Sequence, residues 1–522
     1  MKKRLRILLV ALLALSLLVS GPALAEEGLE IVETDALEAL DTPDVGGLSV
    51  DGAALVTEDV EANAGGDEII AKINKANFPA ADFRKYVLAN IDANGDKKLS
   101  RAEADGVTVL ILRTYEDMRE GRNAYNLSTL KGVEYFENLE QLACVGCNVK
   151  ALDVSKNTKL LALDCSKNKL TALDVSKNTK LLVLDCSENK LTKLDVTKCT
   201  ELGVLTCSDN QLTKLDVSKC RELLELAASK NKLTAVDLTG DTKLKLVSVI
   251  ENKLRKLDVS TNKALKLLNC AANKLTELDV TKNAKLEVLY CGINRLTGLD
   301  VTKNAKLYDL SCSGNALVAL DLTRCKALKY LNCEDNRLKK LDVSKNRKLT
   351  RLECYKNALT ALDVGNNTEL NTLRCQLNKL KKLDVTKNGK LDLLYAFSNQ
   401  LTALDLSKNT LLTELDCSDN KLRTLDTGAN TCLEILVAID NQLTALDVSR
   451  NADLIILYTN GNAIRSLDLK HNRILRSYLK NKLWEKEDGV YWSYEDDSES
   501  FGLIIDYSTT LTNGAKVLYQ GR

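Results

Sequence analysis

Sixteen cysteines, a column of aspartates and a single histidine are the residues of this 522-residue chain with the most obvious chemistry, and their spacing limits what that chemistry can be. Eleven cysteines fall on one 21-residue grid: Cys144, Cys165, Cys186, Cys207, Cys270, Cys291, Cys312, Cys333, Cys354, Cys375 and Cys417. The remaining grid positions hold Ala228, Val249, Ala396, Ala438 and Thr459. A slot that accepts Ala and Val selects a small buried side chain, and a free thiol packs as one. Zn2+ would need four convergent ligands, whereas this column is a line with no His in it. His471, the only histidine, lies at the end of the grid without a Ser or Cys partner. A second column runs from Asp153 through Asp174, Asp195 and Asp216 to Asp468. Carboxylates stacked about 5 Å apart repel one another, so each is expected to accept backbone N–H groups in an Asx-type turn; a Ca2+ ladder is the alternative. Asp164 and Asp185 stand outward on adjacent units, at the separation of a retaining glycosidase pair. Periodicity alone produces that spacing, and no apolar pocket around them is legible to raise either pKa. The chain is expected not to be an enzyme.

The element that positions all of these residues is a repeat, L-x-x-L-x-C-x-x-N-x-L-x-x-L-D-V-x-x-x-x-x, best seen in Leu160, Leu163, Cys165, Asn168, Leu170, Leu173, Asp174 and Val175. Its Asn recurs every 21 residues from Asn168 to Asn462, and Cys147 fills the slot one step earlier, which makes sixteen units without insertion or deletion. The segment around Leu163 and Cys165 alternates inward and outward as a short strand. One unit cannot enclose its own apolar residues, so stacked neighbours complete the core. The spacing therefore predicts a solenoid, with a parallel β-sheet on one face and short turns or extended segments on the other. The Asn stands where the chain leaves the strand and is expected to satisfy turning backbone groups. Cys199 and Cys220 share a turn position on adjacent units, where a disulfide is geometrically permitted.

These residues resemble the leucine-rich-repeat proteins secreted by bacteria, of internalin-like or treponemal type. The resemblance covers about residues 107–474 and rests on sixteen copies of L-x-x-L-x-[CAVT]-x-x-[NC]-x-[LVI]. It implies a leucine-rich-repeat solenoid and general binding of proteins, peptides or glycans rather than catalysis.

The flanks read differently. Residues 1–25, MKKRLRILLVALLALSLLVSGPALA, have the basic start, apolar run and small residues of a secretory signal, so the protein is expected to be secreted, with possible retention at the cell surface. No later apolar stretch is long enough to span a bilayer. Residues 26–68 hold fourteen Asp or Glu and no Lys or Arg, which reads as a disordered acidic linker and leaves residues 69–522 with a net charge of +11. Residues 69–106 are expected to form a helical cap. Within it, Asp92-Ala93-Asn94-Gly95-Asp96-Lys97-Lys98-Leu99-Ser100-Arg101-Ala102-Glu103 resembles an EF-hand loop. The resemblance implies calcium held by Asp92, Asn94, Asp96, Lys98, Ser100 and Glu103. It departs at Lys97, where the sharp turn wants Gly, while Gly95 sits two places early; the alternative is a turn before an N-capped helix. Residues 107–138 read as a degenerate repeat and 139–474 as the sixteen units. Lys480 breaks the next unit at its inward position, and residues 475–522 are read as a β-rich cap from Trp484, Tyr491, Trp492, Tyr494, Phe501, Tyr507 and Tyr519 among glycines. An aromatic carbohydrate platform is the alternative there.

Seven aromatics within the array bear most directly on function: Tyr290, Tyr308, Tyr330, Tyr355, Tyr395, Phe397 and Tyr458. All fall on outward positions of the strand segment in the last ten units. The first six units show smaller residues at such positions, among them Ser166, Ser187 and Ser208, and are expected to be scaffold. Exposed aromatics with polar tips mark recognition surfaces, so residues 286–460 are the expected ligand face, for an extracellular protein, peptide or glycan and not for nucleic acid. A rigid structural spacer is the second reading.

Overall fold

The computed structural model describes residues 68–113, 121, 125–475, 484–487, 490–493, 502–506 and 510–512. The expected signal and nearly all of the acidic linker lie outside these residues, as do Lys480, Tyr494, Phe501, Tyr507 and Tyr519. The chain divides into two compact units, Met1–Leu275 and Thr276–Arg522.

The first unit opens with strand β1 (Ile69–Lys72), helix α1 (Ala81–Asn90), strand β2 (Lys98–Ser100), helix α2 (Arg101–Gly106) and strand β3 (Val109–Arg113). β1 and β2 pair antiparallel, and Phe78 meets Phe83 edge-on at 5.8 Å, both fully buried. A capping box starts α2: Ser100 Oγ accepts from the Glu103 N–H, and the Glu103 carboxylate accepts from the Ser100 N–H. β3 pairs in parallel with Gln141–Cys144. From there, parallel in-register pairings join Ala162–Asp164, Val183–Asp185, Val204–Thr206, Glu225–Ala227, Leu246–Ser248 and Leu267–Asn269.

The second unit repeats this pattern from Val288–Tyr290 to Ile456–Tyr458, every strand parallel to the next and displaced by 21 residues. Its carboxy-terminal end is β-rich: Trp484–Glu487 and Val490–Ser493 form an antiparallel pair, and Gly502–Asp506 joins Ile456–Tyr458 in parallel. Each unit is thus a leucine-rich-repeat solenoid with a parallel sheet on one face.

The rungs are held by two buried side-chain ladders, and the sequence announced only one. In the first, Asn378 is typical. Its Nδ2 donates to the carbonyls of Cys354, Cys375 and Gln376, and its Oδ1 accepts from the Leu359 N–H at 2.9 Å. The residue just before this Asn takes a left-handed conformation, as at Lys167 (φ 56°) and Lys356 (φ 49°), so the amide braces a strained turn. The second ladder runs through Asn157, Asn178, Asn262, Asn283, Asn304, Asn346, Asn367, Asn388, Asn409, Asn430, Asn451 and Asn472, all fully buried. Here the amide donors do the work: Asn388 Nδ2 donates to Val364 O and Asn367 O, while its Oδ1 has no partner; at Asn451 the Oδ1 accepts from the Thr427 hydroxyl.

Cys199 and Cys220 belong to this second ladder and are free, buried thiols rather than a disulfide. Cys199 Sγ donates to Val175 O at 3.6 Å, and Cys220 Sγ to Val196 O at 3.6 Å. A thiol can replace the amide because the site asks only for a donor. The inward cysteine column is likewise free and buried, and burial pushes Cys270, Cys312 and Cys375 up to about 12, which keeps them neutral.

The Asp column forms the expected turns. Asp195 Oδ1 accepts from both the N–H and the hydroxyl of Thr197, and these bonds hold its carboxyl below the usual range. Asp384 does the same with Thr386, and Asp153 and Asp174 accept from the N–H groups of Ser155 and Ser176.

Candidate functional site

The sheet face of the second unit carries the seven sequence-predicted aromatics, and in-register stacking fixes where each one stands. Leu394 and Ala396 point into the core and are fully buried, while Tyr395 and Phe397 alternate with them onto the sheet face and are half-buried. All seven aromatics have this partial exposure. They do not form one row. Tyr290, Tyr308 and Tyr330 gather on three consecutive rungs; Tyr355, Tyr395 and Phe397 form a second group; Tyr458 stands apart among Ile435, Val437 and Ile456.

Carboxylates of neighbouring rungs orient the phenols. Tyr290 donates to Asp309 at 2.5 Å and Tyr395 to Glu414 at 2.7 Å. Tyr355 bonds Glu334, and burial followed by that bond raises the phenol's pKa. Burial pushes Asp309 up to about 6 against the pull of its Tyr290 bond. Such phenols keep their rings in fixed orientations, so a ligand would meet an already ordered surface.

Between the aromatics lies a charged cluster that their spacing alone does not reveal. Glu353 Oε1 accepts from Arg351 at 2.9 Å and from Arg374 at 3.3 Å, and the Arg374 guanidinium lies over the Tyr395 ring at 5.4 Å. Two polar atoms here are buried with no hydrogen-bond partner, Arg374 Nε and Gln376 Oε1. Gln376 occupies the rung between Tyr355 and Phe397. Gln376 Oε1 thus lies on the column of Tyr355 and Phe397, and Arg374 Nε on the column of Glu353 and Tyr395. The sequence signal existed, because Arg351, Glu353, Arg374 and Gln376 sit on the same outward positions as the tyrosines.

The first unit corrects two expectations. Its sheet face does not show only small residues: Leu182, Val183, Val204 and Ala227 form a buried apolar cluster, with Leu161 and Ala162 packed against it. These residues lie just before or after the inward strand Leu and share the side of Asp164, Asp185 and Thr206. Apolar surroundings therefore do act on the acidic pair. Burial, and then repulsion from Asp164, pushes Asp185 up to about 7, and burial also raises Asp164. One oxygen of each is held by its own turn, Asp164 by Ser166 and Asp185 by Ser187, at 2.7 and 2.6 Å from the hydroxyls.

In the amino-terminal loop Lys97 takes φ 61° and Gly95 φ 73°, so Lys97 does adopt the left-handed turn that its position requires. Asp92 Oδ2 accepts from Lys97 N–H, Asn94 Oδ1 from Asp96 N–H and Asp96 Oδ1 from Lys98 N–H. Glu103 Oε1 reaches back to the Ala93 N–H at 2.9 Å. Asp92 is buried, and its Oδ1 has no partner. Among the described residues, no group of three or more His, Cys, Asp or Glu side chains converges as a metal cage, and no helix is long and apolar enough to cross a membrane.

No family model matches the sequence, and no curated relative does. Solved structures are similar to it. The functional domain of InlJ from Listeria monocytogenes, which includes a cysteine ladder, is 30% identical with a TM-score of 0.63, covering 86% of this chain and 100% of that one. The leucine-rich-repeat protein LIC12759 of Leptospira interrogans is 26% identical with a TM-score of 0.58, over 65% of this chain and 94% of that one. At the level of fold alone, the Arabidopsis receptor kinase HAESA, solved with the peptide hormone IDA and the co-receptor SERK1, gives a TM-score of 0.58 at 21% identity, over 73% of this chain and 70% of that one. At 30% identity across the entire listerial domain, which includes a cysteine ladder, this chain, with its own buried cysteine column, belongs to the internalin-like leucine-rich-repeat family.

Proposed function

We propose that this is a secreted or cell-surface, non-enzymatic binding protein that recognises a protein or peptide on the sheet face of rungs 286–460. The observation that carries the reading is the group formed by Tyr355, Gln376, Phe397, Arg374 and Tyr395. It has ordered aromatic rings beside an unpaired buried donor and acceptor. Aromatic and Arg side chains dominate the binding hot spots of protein–protein interfaces. The HAESA ectodomain fold, solved with a peptide hormone, supports the same use of such a solenoid.

The double change Tyr355→Ala and Phe397→Ala is expected to weaken capture of the extracellular ligand by more than about 100-fold, since each hot-spot truncation costs roughly 2 kcal/mol. Both side chains are half-buried on the surface, so the thermal midpoint should stay close to that of the parent. Unchanged capture by a folded double variant would refute the reading.

The same proposal includes weak calcium binding by the loop Asp92–Glu103. Support comes from the unpartnered buried Oδ1 of Asp92 and from the left-handed turn at Lys97. Asp92, Asn94, Asp96, the Lys98 carbonyl, Ser100 and Glu103 would hold the ion, which would neutralise the acidic loop and tie β2 to α2. Calorimetric titration of the whole chain with Ca2+ is expected to give heat that Asp92→Asn removes. No heat above background would exclude the site.

A further inference from the structure

The basic excess of the chain is not spread evenly over its surface. In the second unit, the extended segment that follows each ladder Asn brings three positions to the surface, exposed or half-buried, and from Asn294 onward their charges alternate from rung to rung. Arg295 comes first; then Arg337, Lys339 and Lys340; then Lys379, Lys381 and Lys382; then Lys421 and Arg423; then Arg465. The rungs between them carry Ala316, Val318 and Ala319, then Ala358, Thr360 and Ala361, then Gln400, Thr402 and Ala403, then Gln442, Thr444 and Ala445. From Arg295 to Arg465 ten cations thus occupy every second rung, with no acid at any of these positions; the alternation begins there, since the rung before holds Lys274 and Glu277. All ten are exposed, and none forms an ion pair among the described residues.

Their placement is rigid at the backbone. An unbroken series of bonds joins this wall rung to rung: Arg337 N–H donates to Leu317 O, Ala358 to Leu338, Lys379 to Leu359, Gln400 to Leu380 and Lys421 to Leu401, each at 2.8 or 2.9 Å. Adjacent rungs therefore lie at the strand spacing of about 4.8 Å, and successive basic clusters about 9.6 Å apart. The flanking Asp342, Asp384 and Asp426 are committed to their own turns, through Ser344, Thr386 and Gly428. Two further carboxylates, Asp335 and Asp419, sit at the left-handed positions ahead of two of the clusters.

We propose that this wall binds an extended acidic polysaccharide whose negative charges recur once per disaccharide. Two rungs match the advance of a disaccharide along an extended β-linked chain, so each cluster would meet one acidic sugar. The Ala and Thr rungs between would give the intervening neutral ring a flat, uncharged bed. A nucleic acid is disfavoured because the wall carries no aromatic side chain on which a base could stack. Polyphosphate carries charge too densely to use the alternation. This surface is separate from the aromatic sheet face, so either assignment can fail without the other.

The test is calorimetric titration of the full chain with a hyaluronan decasaccharide, which bears one carboxylate per disaccharide, beside polyphosphate and single-stranded DNA. The variant K339T/K340A/T360K/A361K preserves net charge and moves two of the three charges of one cluster onto a neutral rung. It is expected to bind the decasaccharide about tenfold more weakly, because the charge pattern no longer matches, while its affinity for polyphosphate stays within about twofold. Removal of the charges in K339T/K340A/K381T/K382A should abolish decasaccharide binding and leave the Tyr355 and Phe397 ligand site active. Equal decasaccharide affinity of the charge-shifted variant and the parent would overturn the proposal in favour of unspecific charge attraction, as would stronger binding of DNA than of the decasaccharide. Failure of the parent chain to bind the decasaccharide would overturn it outright.

Discussion

Replacing Asp241 with Asn is expected to stabilise the first unit by roughly 3 kcal/mol at pH 8 and by much less near pH 4. Asp241 stands in the second ladder, where Asn or Cys is otherwise found, and is fully buried with both carboxylate oxygens unpartnered. The site presents carbonyl groups, as shown by Asn262, whose Nδ2 donates to Leu238 O and Asp241 O. An ionised carboxylate there faces acceptors with nothing to donate. Burial, then repulsion from Asp237 and Asp216, pushes its pKa up to about 7. The folded chain therefore keeps a proton that the unfolded chain releases near pH 4. Its contribution to stability is complete below pH 4 and is lost as pH rises through 7. Asp185 and Glu225, which burial also raises to about 7, add to the trend with the same sign. Urea midpoints of parent and variant at pH 4.5 and pH 8 check this, and a pH-independent difference between them would show that Asp241 is not the titrating group.

Asn378→Ala should act in the opposite direction, costing about 3 kcal/mol, because it strands the buried Leu359 N–H and removes one of the two amide donors on the Cys354 carbonyl, which keeps only Asn357 Nδ2. Asn388→Cys is the matched comparison. Its site uses only donors, and Cys325 already serves in the same ladder by donating to Val301 O, so a cost of less than about 1.5 kcal/mol is expected. Chemical denaturation of the two variants side by side measures the contrast. Equal losses would mean that the two ladders do not differ in what they ask of a side chain.

That contrast marks where the sequence was legible and where it was not. The first ladder was readable because its Asn recurs with only Cys147 as an exception, a constancy that follows from the need for both a donor and an acceptor. The second ladder lay hidden in five positions taken as variable. It admits Asn178, Cys199, Cys220, Asp241 and Asn262 in turn, and its rule concerns hydrogen-bond direction rather than residue identity. The aromatic face was visible as a list of outward tyrosines, but not as a site. The salt-bridged Arg351, Glu353 and Arg374 and the unpaired Gln376 emerge only when rungs are laid side by side. The buried cluster at Leu182, Val183 and Val204 is not legible in the repeat because its members occupy variable outward positions that elsewhere hold polar residues.

The first-ladder asparagines also determine how the gene can change length. Each reaches a carbonyl 24 residues earlier and accepts from an amide 19 residues earlier, as Asn378 does with Cys354 and Leu359. Excising any whole number of 21-residue blocks rejoins like with like, and every buried amide finds an equivalent partner on the next block. Any other excision shifts the partners out of reach. The repeat is therefore a natural quantum for recombination between copies, and two quanta, 42 residues, also preserve the alternation of charged and neutral rungs on the basic wall.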